Sequence, residues 1–313
     1  MSARNSADVS HAVGVEAAGP FSSLIRVDVS ALSHTGYRRE NNEDHYLVTR
    51  LGRTMQTLST SLPAGEVPEL TEEVNYVMIV ADGMGGHAAG EIASRMAISA
   101  LIGLALEMPD WIFKVDDAHS SEIERRSRTR FQEVGAMLVE RGQRDPALRG
   151  MGTTLTAARS LGGELQITHV GDSRAYLLRA GTLHRLTRDH TYAQLLVDTG
   201  QLAPGEVAAS RHRHVLTNAL GGSNEDVQVD VDWLHLEDGD RLLLCSDGLT
   251  DLVDDEAITR ILLETTLSSD ACERLVQKAL DGGGRDNVTV IVAAYRIPER
   301  SARTGNAVDD ATR

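Results

Sequence analysis

Four aspartates in this chain stand where an apolar, strand-like run meets a sharp turn. They are Asp82, Asp172, Asp247 and Asp286. They are far apart in the sequence, so only folding can bring them together. Ionised carboxylates about 4 Å apart repel by roughly 4 kcal/mol at an effective dielectric near 20, so bound cations would be needed to hold such a cluster. Carboxylate oxygens without a Cys or His cluster favour Mg²⁺ or Mn²⁺ over zinc.

Composition predicts a single folded domain with polar tails. The chain has 313 residues, of which 41% are apolar and 25% charged, as in ordinary globular proteins. We expect disordered tails at 1–20 and 298–313 and one domain at 21–297. The net charge of -15 argues against a nucleic-acid backbone or an anionic membrane as the main partner.

Cysteine usage and hydropathy bear on the compartment. The two cysteines, Cys245 and Cys272, lie in apolar or helical patterns, so no disulfide framework is expected and a reducing cytoplasm is predicted. Residues 1–20 lack an apolar signal core, and the apolar helical stretch around 97–106 is too short to span a bilayer. We therefore predict a cytoplasmic monomer without a membrane anchor.

Hydrophobic periodicity predicts an α+β fold with two antiparallel sheets and helices outside them. The predicted strands are 24–32, 45–51, 74–80, 153–158, 165–170, 175–178, 182–186, 227–236, 241–245 and 288–297. The four predicted strands between residues 153 and 186 are expected to form one continuous antiparallel meander. The predicted helices are 90–107, 121–141, 192–199, 255–265 and 269–280, with Ser268, Ser269 and Asp270 as possible caps of the last. A connection rich in Pro, Gly, Ser and Thr occupies 52–73.

The loop after the third strand allows a second interpretation. Gly83, Gly85 and Ala88 match a dinucleotide-binding fingerprint between a strand and a helix. Asp82 would then point a negative charge at the pyrophosphate. The acidic ribose partner expected about 20 residues later falls in an apolar helix, and the following strands lack crossover helices.

A charged run, 38–44, lies between the first two predicted strands. Such runs are usually solvated. An arginine beside metal-binding carboxylates can instead grip a phosphoryl group with two parallel hydrogen bonds, which makes Arg39 a candidate. His212 and His214, in a polar loop, are the histidines expected nearest to a substrate.

The ordered motifs resemble a known family. They are Arg39-x-x-Asn42-Glu43-Asp44, Asp82-Gly83-Met84-Gly85-Gly86, Gly152-Thr153-Thr154, Gly171-Asp172-Ser173-Arg174, Ser246-Asp247-Gly248 and Asp286-Asn287. Together they resemble the bacterial branch of the metal-dependent (PPM, or type 2C) serine/threonine protein phosphatases, over residues 24–295. The resemblance implies a four-layer α-β-β-α sandwich, with two antiparallel sheets flanked by helix pairs and a binuclear Mn²⁺ or Mg²⁺ centre at one end.

The resemblance also implies roles for individual residues. Asp82 would bridge both metals, and Asp247 and Asp286 would complete the first. The Gly83 carbonyl would ligate the second, and Glu43 would act through a metal-bound water.

Further roles follow from the same resemblance. Arg39 would bind the phosphate, and Asp172 would hold a weaker third metal together with Asp247. Residues 192–214 correspond to a mobile flap. Met84 stands where eukaryotic relatives have a histidine proposed as general acid, so the proton donor to the leaving group is unassigned, with water as the alternative.

The implied activity is hydrolysis of phosphoserine and phosphothreonine in proteins. A metal-bridging hydroxide would attack phosphorus in line without a phosphoenzyme, and Asp82, Asp247 and Arg39 would be the catalytic residues. The partners would be substrates of bacterial serine/threonine kinases. An alternative is a catalytically silent relative that only binds phosphoprotein, although such a protein would not need all four of Asp82, Asp247, Asp286 and Arg39.

Overall fold

The computed structural model describes residues 25–297 apart from 64–65, 68, 86–87, 108–116 and 223–225. The strands are β1 Arg26–His34, β2 Asp44–Gln56, β3 Leu70–Met84, β4 Gly152–Thr153, β5 Leu155–Leu161, β6 Glu164–Val170, β7 Arg174–Arg179, β8 Thr182–Arg185, β9 Leu220–Gly221, β10 Asp230–His235, β11 Arg241–Cys245 and β12 Val288–Arg296. The helices are α1 Ala88–Glu107, α2 Asp117–Arg144, α3 Tyr192–Asp198, α4 Asp247–Thr250, α5 Asp255–Glu264 and α6 Ser268–Asp281. Both predicted tails lie outside the described residues.

Two antiparallel sheets pack face to face, as predicted. One sheet has the order β1-β12-β11-β7-β8. The other has the order β10-β6-β5-β3-β4-β9, with β2 paired to β3. Helices α5 and α6 cover the first sheet, and α1 and α2 cover the second. The antiparallel pairing excludes the dinucleotide-binding interpretation, which requires parallel strands with crossover helices.

Strand β12 shows why its apolar run is continuous. Its Val288, Val290 and Val292 face the core beneath α5 and α6. The alternate residues Ile291 and Tyr295 enter the core between the sheets. Side chains alternate along a strand, so a strand buried on both faces is mostly apolar, and its buried Thr289 is hydrogen-bonded to Ser33 Oγ at 2.8 Å.

The hairpin of β2 and β3 is longer than predicted. The two strands pair from Asp44 opposite Asp82 to Gln56 opposite Leu70. Both ends of the predicted connection 52–73, residues 52–56 and 70–73, are therefore strand, because threonine and glutamate at an exposed hairpin are compatible with pairing even without an apolar pattern. Asp82 consequently lies inside β3 rather than after it.

The predicted meander is wrong. Strands β5 and β6 pair in one sheet, whereas β7 and β8 pair in the other. The chain changes sheets at residues 171–173, where Gly171 has a φ of +114°. Two hairpins in different sheets show the same alternation as a meander, so periodicity cannot distinguish the two arrangements.

The start of α6 also differs from the prediction. Its N-cap position is Leu267, and Ser268 is already helical. The Ser268 amide donates to Asp28 Oδ2 at 2.8 Å, so the cap comes from β1. A cap contributed by a distant residue has no local sequence signal.

Helix α1 is long and apolar enough over Ala89–Glu107 to cross a membrane by length and composition. This stretch is longer than the predicted 97–106. Ala93, Ala97 and Leu101 pack on the sheet in the same core as Phe131 of α2. Helix α1 therefore forms part of the helical layer that covers the second sheet. Its length and composition alone are weak evidence for a membrane span. The sequence between the first two predicted helices holds Trp111 and Phe113, which are more often packing residues than a recognition patch; both lie outside the described residues.

Candidate metal centre

The predicted aspartates meet at one end of the sandwich. Asp82 is near the end of β3, Asp172 lies in the sheet-changing turn, Asp247 opens α4 and Asp286 precedes β12. All four line a single cleft of about 750 Å³. Arg39, Glu43 and Gly83 line it as well, so the fold brings every predicted site residue to one place.

The electrostatics of Asp82 show how crowded the carboxylates are. Burial raises its pKa well above the ordinary value, and the charges of Asp44, Asp247, Asp172 and Asp286 raise it further. A site with this many like charges is stable only if protons or cations neutralise it.

Asp44 is a member of this cluster that sequence reasoning missed. Asp44 is 4% exposed, and burial raises the pKa of its carboxyl group to about 7. Ser246 Oγ donates to its Oδ2 at 2.7 Å, while its Oδ1 has no hydrogen-bond partner among the described residues. A signal was present, because Asp44 ends the charged run 38–44, in which the motif pointed to Arg39 and Glu43 only.

The C-terminal end of the flap, residues 192–214, contributes Arg213 and His214 to the cleft. His214 Nδ1 lies 3.5 Å from Asp247 Oδ2, and its Nε2 lies 3.2 Å from Asp251 Oδ2. The hydrogen bond to Asp247 is the main reason that the pKa of His214 is raised. His214 is therefore in the cleft as predicted. His212, in contrast, packs its ring on Tyr192, at 5.1 Å between centroids, and is not among the described lining residues.

Asp172 lines this cleft and also a neighbouring pocket, to which the flap contributes Gln194 and Val207. Burial raises its pKa well above the ordinary value, with Asp247 and Asp189 adding to the shift. The pKa of Asp251 is raised too, first by burial and then by Asp247. No sequence motif singles out Asp251, which is one turn of α-helix after Asp247.

Arg39 lies at the rim of the cleft, where 55% of its side chain is exposed. Its Nη2 donates to Asp286 Oδ2 at 2.7 Å, and this bond raises the pKa of Arg39. The guanidinium therefore neutralises one carboxylate of the cluster. Its exposure leaves it free to reach a phosphoryl group at the mouth of the cleft.

Asn287 holds the loop that carries Arg39. Its Nδ2 donates to the carbonyl oxygens of Thr35 and Asn41 at 2.9 and 3.0 Å, and its Oδ1 accepts from the Glu43 amide at 2.8 Å. Three backbone groups of one loop thus depend on one buried side chain. The sequence contained Asn287 in a motif without indicating this role.

Close backbone packing explains two glycines beside the carboxylates. A Cβ on Gly83 would collide with the Gly90 backbone. A Cβ on Gly90 would lie 2.5 Å from Glu43 Oε2. The Glu43 carboxylate therefore packs against the first turns of α1, where the helix dipole favours negative charge.

The donor set fits a divalent cation with hard character. The carboxylates of Asp82, Asp172, Asp247 and Asp286 line the cleft, and burial together with the neighbouring carboxylates raises the pKa of Asp82. Mn²⁺ and Mg²⁺ prefer such oxygen ligands. Met84 also lines the cleft, and its thioether has no proton to donate.

The fold and the site together define an α+β sandwich protein with an oxygen-ligand centre for divalent cations. A family model described as Protein phosphatase 2C matches residues 69–282. This chain belongs to the protein phosphatase 2C family, whose members are metal-dependent serine/threonine protein phosphatases. The resemblance inferred from the motifs and the predicted fold class are both confirmed.

Individual relatives agree with this assignment. The serine/threonine protein phosphatase PstP of Mycobacterium tuberculosis is 42% identical over 219 residues, which are 69% of this chain and 40% of PstP. The protein phosphatase PhpP of Streptococcus pneumoniae is 35% identical over 278 residues, covering 86% of this chain and 97% of PhpP. The chain thus spans less than half of PstP and nearly all of PhpP.

A solved structure resembles the whole described domain. It is the catalytic domain of PstP in complex with two manganese ions, with a TM-score of 0.67 and 35% identity, covering 87% of this chain and 99% of that one. The predicted Mn²⁺ or Mg²⁺ cofactor agrees with those two ions.

Proposed function

We propose that this protein is a metal-dependent serine/threonine protein phosphatase that hydrolyses phosphoserine and phosphothreonine. The observation that carries the proposal is the convergence of Asp82, Asp172, Asp247 and Asp286 in one cleft with Arg39 at its rim. Membership of the protein phosphatase 2C family supports the same activity.

The residues present would hold two core cations. Asp82 would contact both, Asp247 and Asp286 would complete the first, and the Gly83 carbonyl would serve the second, with Glu43 acting through water. Asp172 and Asp247 would hold a weaker third. When bound, such ions supply Lewis acidity and lower the pKa of a coordinated water, which is how an attacking hydroxide becomes available near neutral pH.

The chain's own groups supply binding and orientation. Arg39 turns from Asp286 toward the phosphoryl group and neutralises charge on its oxygens with two parallel hydrogen bonds. Asn287 keeps the Arg39 loop in place for this contact. Met84 contributes no proton, so the leaving alkoxide receives its proton from solvent rather than from that position.

Wider features of the protein follow from the same proposal. Its partners are proteins that bacterial serine/threonine kinases have phosphorylated, and it acts in signalling. Residues 21–297 form one catalytic domain that works as a cytoplasmic monomer. The free, buried state of Cys245 and Cys272 suits a reducing compartment.

The test is hydrolysis of a phosphothreonine peptide and an aryl phosphate by the purified chain, with Mn²⁺, with Mg²⁺ and with excess chelator. We expect turnover with either ion and none with chelator. Asp82→Asn serves as the matched inactive control. Robust turnover in chelator would overturn the proposal, and tight phosphoprotein binding without turnover would favour the silent relative.

A further inference from the structure

His190 occupies the point where the flap joins the rest of the fold. Its backbone N–H donates to the Gly171 carbonyl at 2.7 Å, and its carbonyl accepts from the Thr217 N–H at 2.8 Å. Thr191 forms an isolated β-bridge with Leu216, so the two ends of the flap meet immediately beside His190. The residue thus lies beside both ends of the flap.

The imidazole of His190 makes hydrogen bonds with both ring nitrogens. Nδ1 accepts from the Gly171 N–H at 3.1 Å and from Asn218 Nδ2 at 3.0 Å. Nε2 lies 3.0 Å from Asp230 Oδ2. The Gly171 amide can only donate, so Nδ1 must be the unprotonated nitrogen and the proton must lie on Nε2, facing Asp230.

A second imidazole supports the first. The rings of His169 and His190 are 4.9 Å apart between centroids. His169 Nδ1 bonds Thr156 Oγ1 at 2.9 Å, and its Nε2 bonds the Arg188 carbonyl at 3.1 Å. Burial lowers the pKa of His169 to about 4, so this ring is neutral near pH 7. The pair therefore packs without charge repulsion between the rings.

Gly171 immediately precedes Asp172, and the backbone of this turn, residues 171–173, is closely packed against Thr154. A Cβ on Gly171 would lie 2.5 Å from Thr154 Cβ. Thr154 Oγ1 in turn bonds Ser173 Oγ at 2.8 Å and accepts from the Asp82 N–H at 3.0 Å. The Asp172 turn therefore packs between Thr154, which bonds Asp82 of β3, and the ring of His190, which lies beside the flap.

We propose that His190 is a positioning residue that fixes the Asp172 turn and both ends of the flap relative to one another. Asp230 holds the ring in the Nε2–H form, which leaves Nδ1 free to accept from Gly171. The inference rests on the proposed function only where it predicts weaker binding at the third metal site. Its structural core is the link from His190 to the Asp172 turn.

The first test uses amide hydrogen exchange in metal-free protein, so it requires no activity. His190→Phe keeps an aromatic ring but loses all three side-chain hydrogen bonds, to Gly171, Asn218 and Asp230. We expect faster exchange at Gly171, whose N–H loses its acceptor, and a smaller increase at Thr217, whose N–H bonds the backbone carbonyl of residue 190. His190→Asn offers an acceptor oxygen near the Nδ1 position and is expected to restore most of the protection. His235→Phe is the matched control, because His235 pairs with Glu164 at 2.8 Å on the same strand as Asp230 and is 71% exposed.

The second test is calorimetric titration with Mn²⁺. Because partners that orient a metal ligand are commonly worth 10- to 100-fold in affinity, His190→Phe should weaken the third, weak site by roughly 10-fold and leave two tight sites unchanged. A long-range ¹H–¹⁵N correlation on the parent protein should place the ring proton on Nε2. Asp230→Ala should lower that tautomer's population and weaken the same site less strongly.

Several results would overturn the inference. One is a His190→Phe protein with parental exchange at Gly171 and parental affinity at the weak site. Another is a ring proton on Nδ1 in the parent. A uniform loss of stability that His190→Asn does not rescue would reduce His190 to a packing residue. An absence of turnover in all proteins, with the exchange pattern as expected, would contradict the proposed function and leave the positioning role intact.

Discussion

Arg39 Nη2 lies 2.7 Å from Asp286 Oδ2, so a residue predicted to bind phosphate is paired with a residue predicted to bind metal. The guanidinium and a cation would compete for the same carboxylate. Metal binding at Asp286 would therefore release Arg39 toward substrate. A cation would therefore have to bind Asp286 before Arg39 is available to substrate.

Replacing Arg39 should separate metal binding from substrate binding. We expect Arg39→Ala to bind Mn²⁺ more tightly, because a competing positive charge is removed. The same variant should show a KM raised roughly 10- to 100-fold, since a hydrogen bond to a charged group is worth about 1.5–3 kcal/mol, and a lower kcat. Arg39→Lys should recover only part of the lost activity, because the lysine ammonium cannot donate two parallel hydrogen bonds as the guanidinium does. Calorimetry and steady-state kinetics measure the two effects, and unchanged kinetics in both variants would return Arg39 to the solvated-cluster interpretation.

Asp82→Asn should improve stability and abolish function. The substitution removes a charge from a cluster in which burial and four other aspartates raise the pKa of Asp82. The metal-free variant should melt at a higher temperature, by roughly 2–4 °C for each kcal/mol gained. Turnover with saturating Mn²⁺ should fall by roughly 10³-fold or more, because one carboxylate serves both core ions and metal catalysis is worth several kcal/mol. Near-normal turnover would contradict the bridging role.

Asp172→Ala should affect only the weak third site. Its partner Asp247 is already committed to a core ion, so calorimetry should still find two tight Mn²⁺ ions. Turnover should fall by roughly 10²-fold on a phosphopeptide and less on an activated aryl phosphate, whose good leaving group needs less help. Loss of all metal binding, or a parental rate on phosphopeptide, would contradict this assignment.

The stability of the metal-free protein should depend on Asp44 in a defined pH window. Its folded pKa, about 7, is above its ordinary value of 3.8, so the folded state binds this proton more tightly than the unfolded state. The contribution of Asp44 is therefore most favourable below pH 4 and is lost as the pH rises toward 7, at up to about 1.4 kcal/mol per pH unit.

His169 opposes this trend, because its pKa is lowered to about 4, so the measurement must be a difference between variants. We expect Asp44→Asn to gain stability relative to the parent as the pH rises from 4 to 7, by urea unfolding in chelator. A difference that does not change with pH would show that Asp44 keeps an ordinary pKa in the folded protein.

Asn287→Ala should loosen the Arg39 loop. The variant leaves the Glu43 amide and two loop carbonyls without their partner, which should cost about 2–4 kcal/mol in unfolding free energy. KM for a phosphopeptide should rise with it, because Arg39 is no longer held at the rim. Asn41→Ala is the control, since only the backbone carbonyl of Asn41 takes part in the Asn287 contacts. Equal stability and KM in the two variants would remove Asn287 from this role.

Local sequence signals determined the elements and the ligand chemistry. Apolar runs such as 241–245 and 288–297 predicted strands correctly, because a strand buried on both faces leaves an uninterrupted apolar pattern. The carboxylates at the ends of such runs predicted the cluster of Asp82 and Asp247, although Asp82 lies within β3 and Asp247 begins α4 rather than standing in a turn. The order of these motifs was enough to predict the family.

Only the tertiary structure decided which groups meet across the fold. The change of sheet at Gly171, the Asp28 cap of α6, the burial of Asp44 and the bonds of His190 all join residues far apart in sequence. Such contacts depend on how two sheets stack and on which loop faces which, and a period of two along a strand is the same in either sheet. The sequence by itself thus determined what the site is made of, whereas packing decided how its carboxylates are held and which neighbours shift their pKa values.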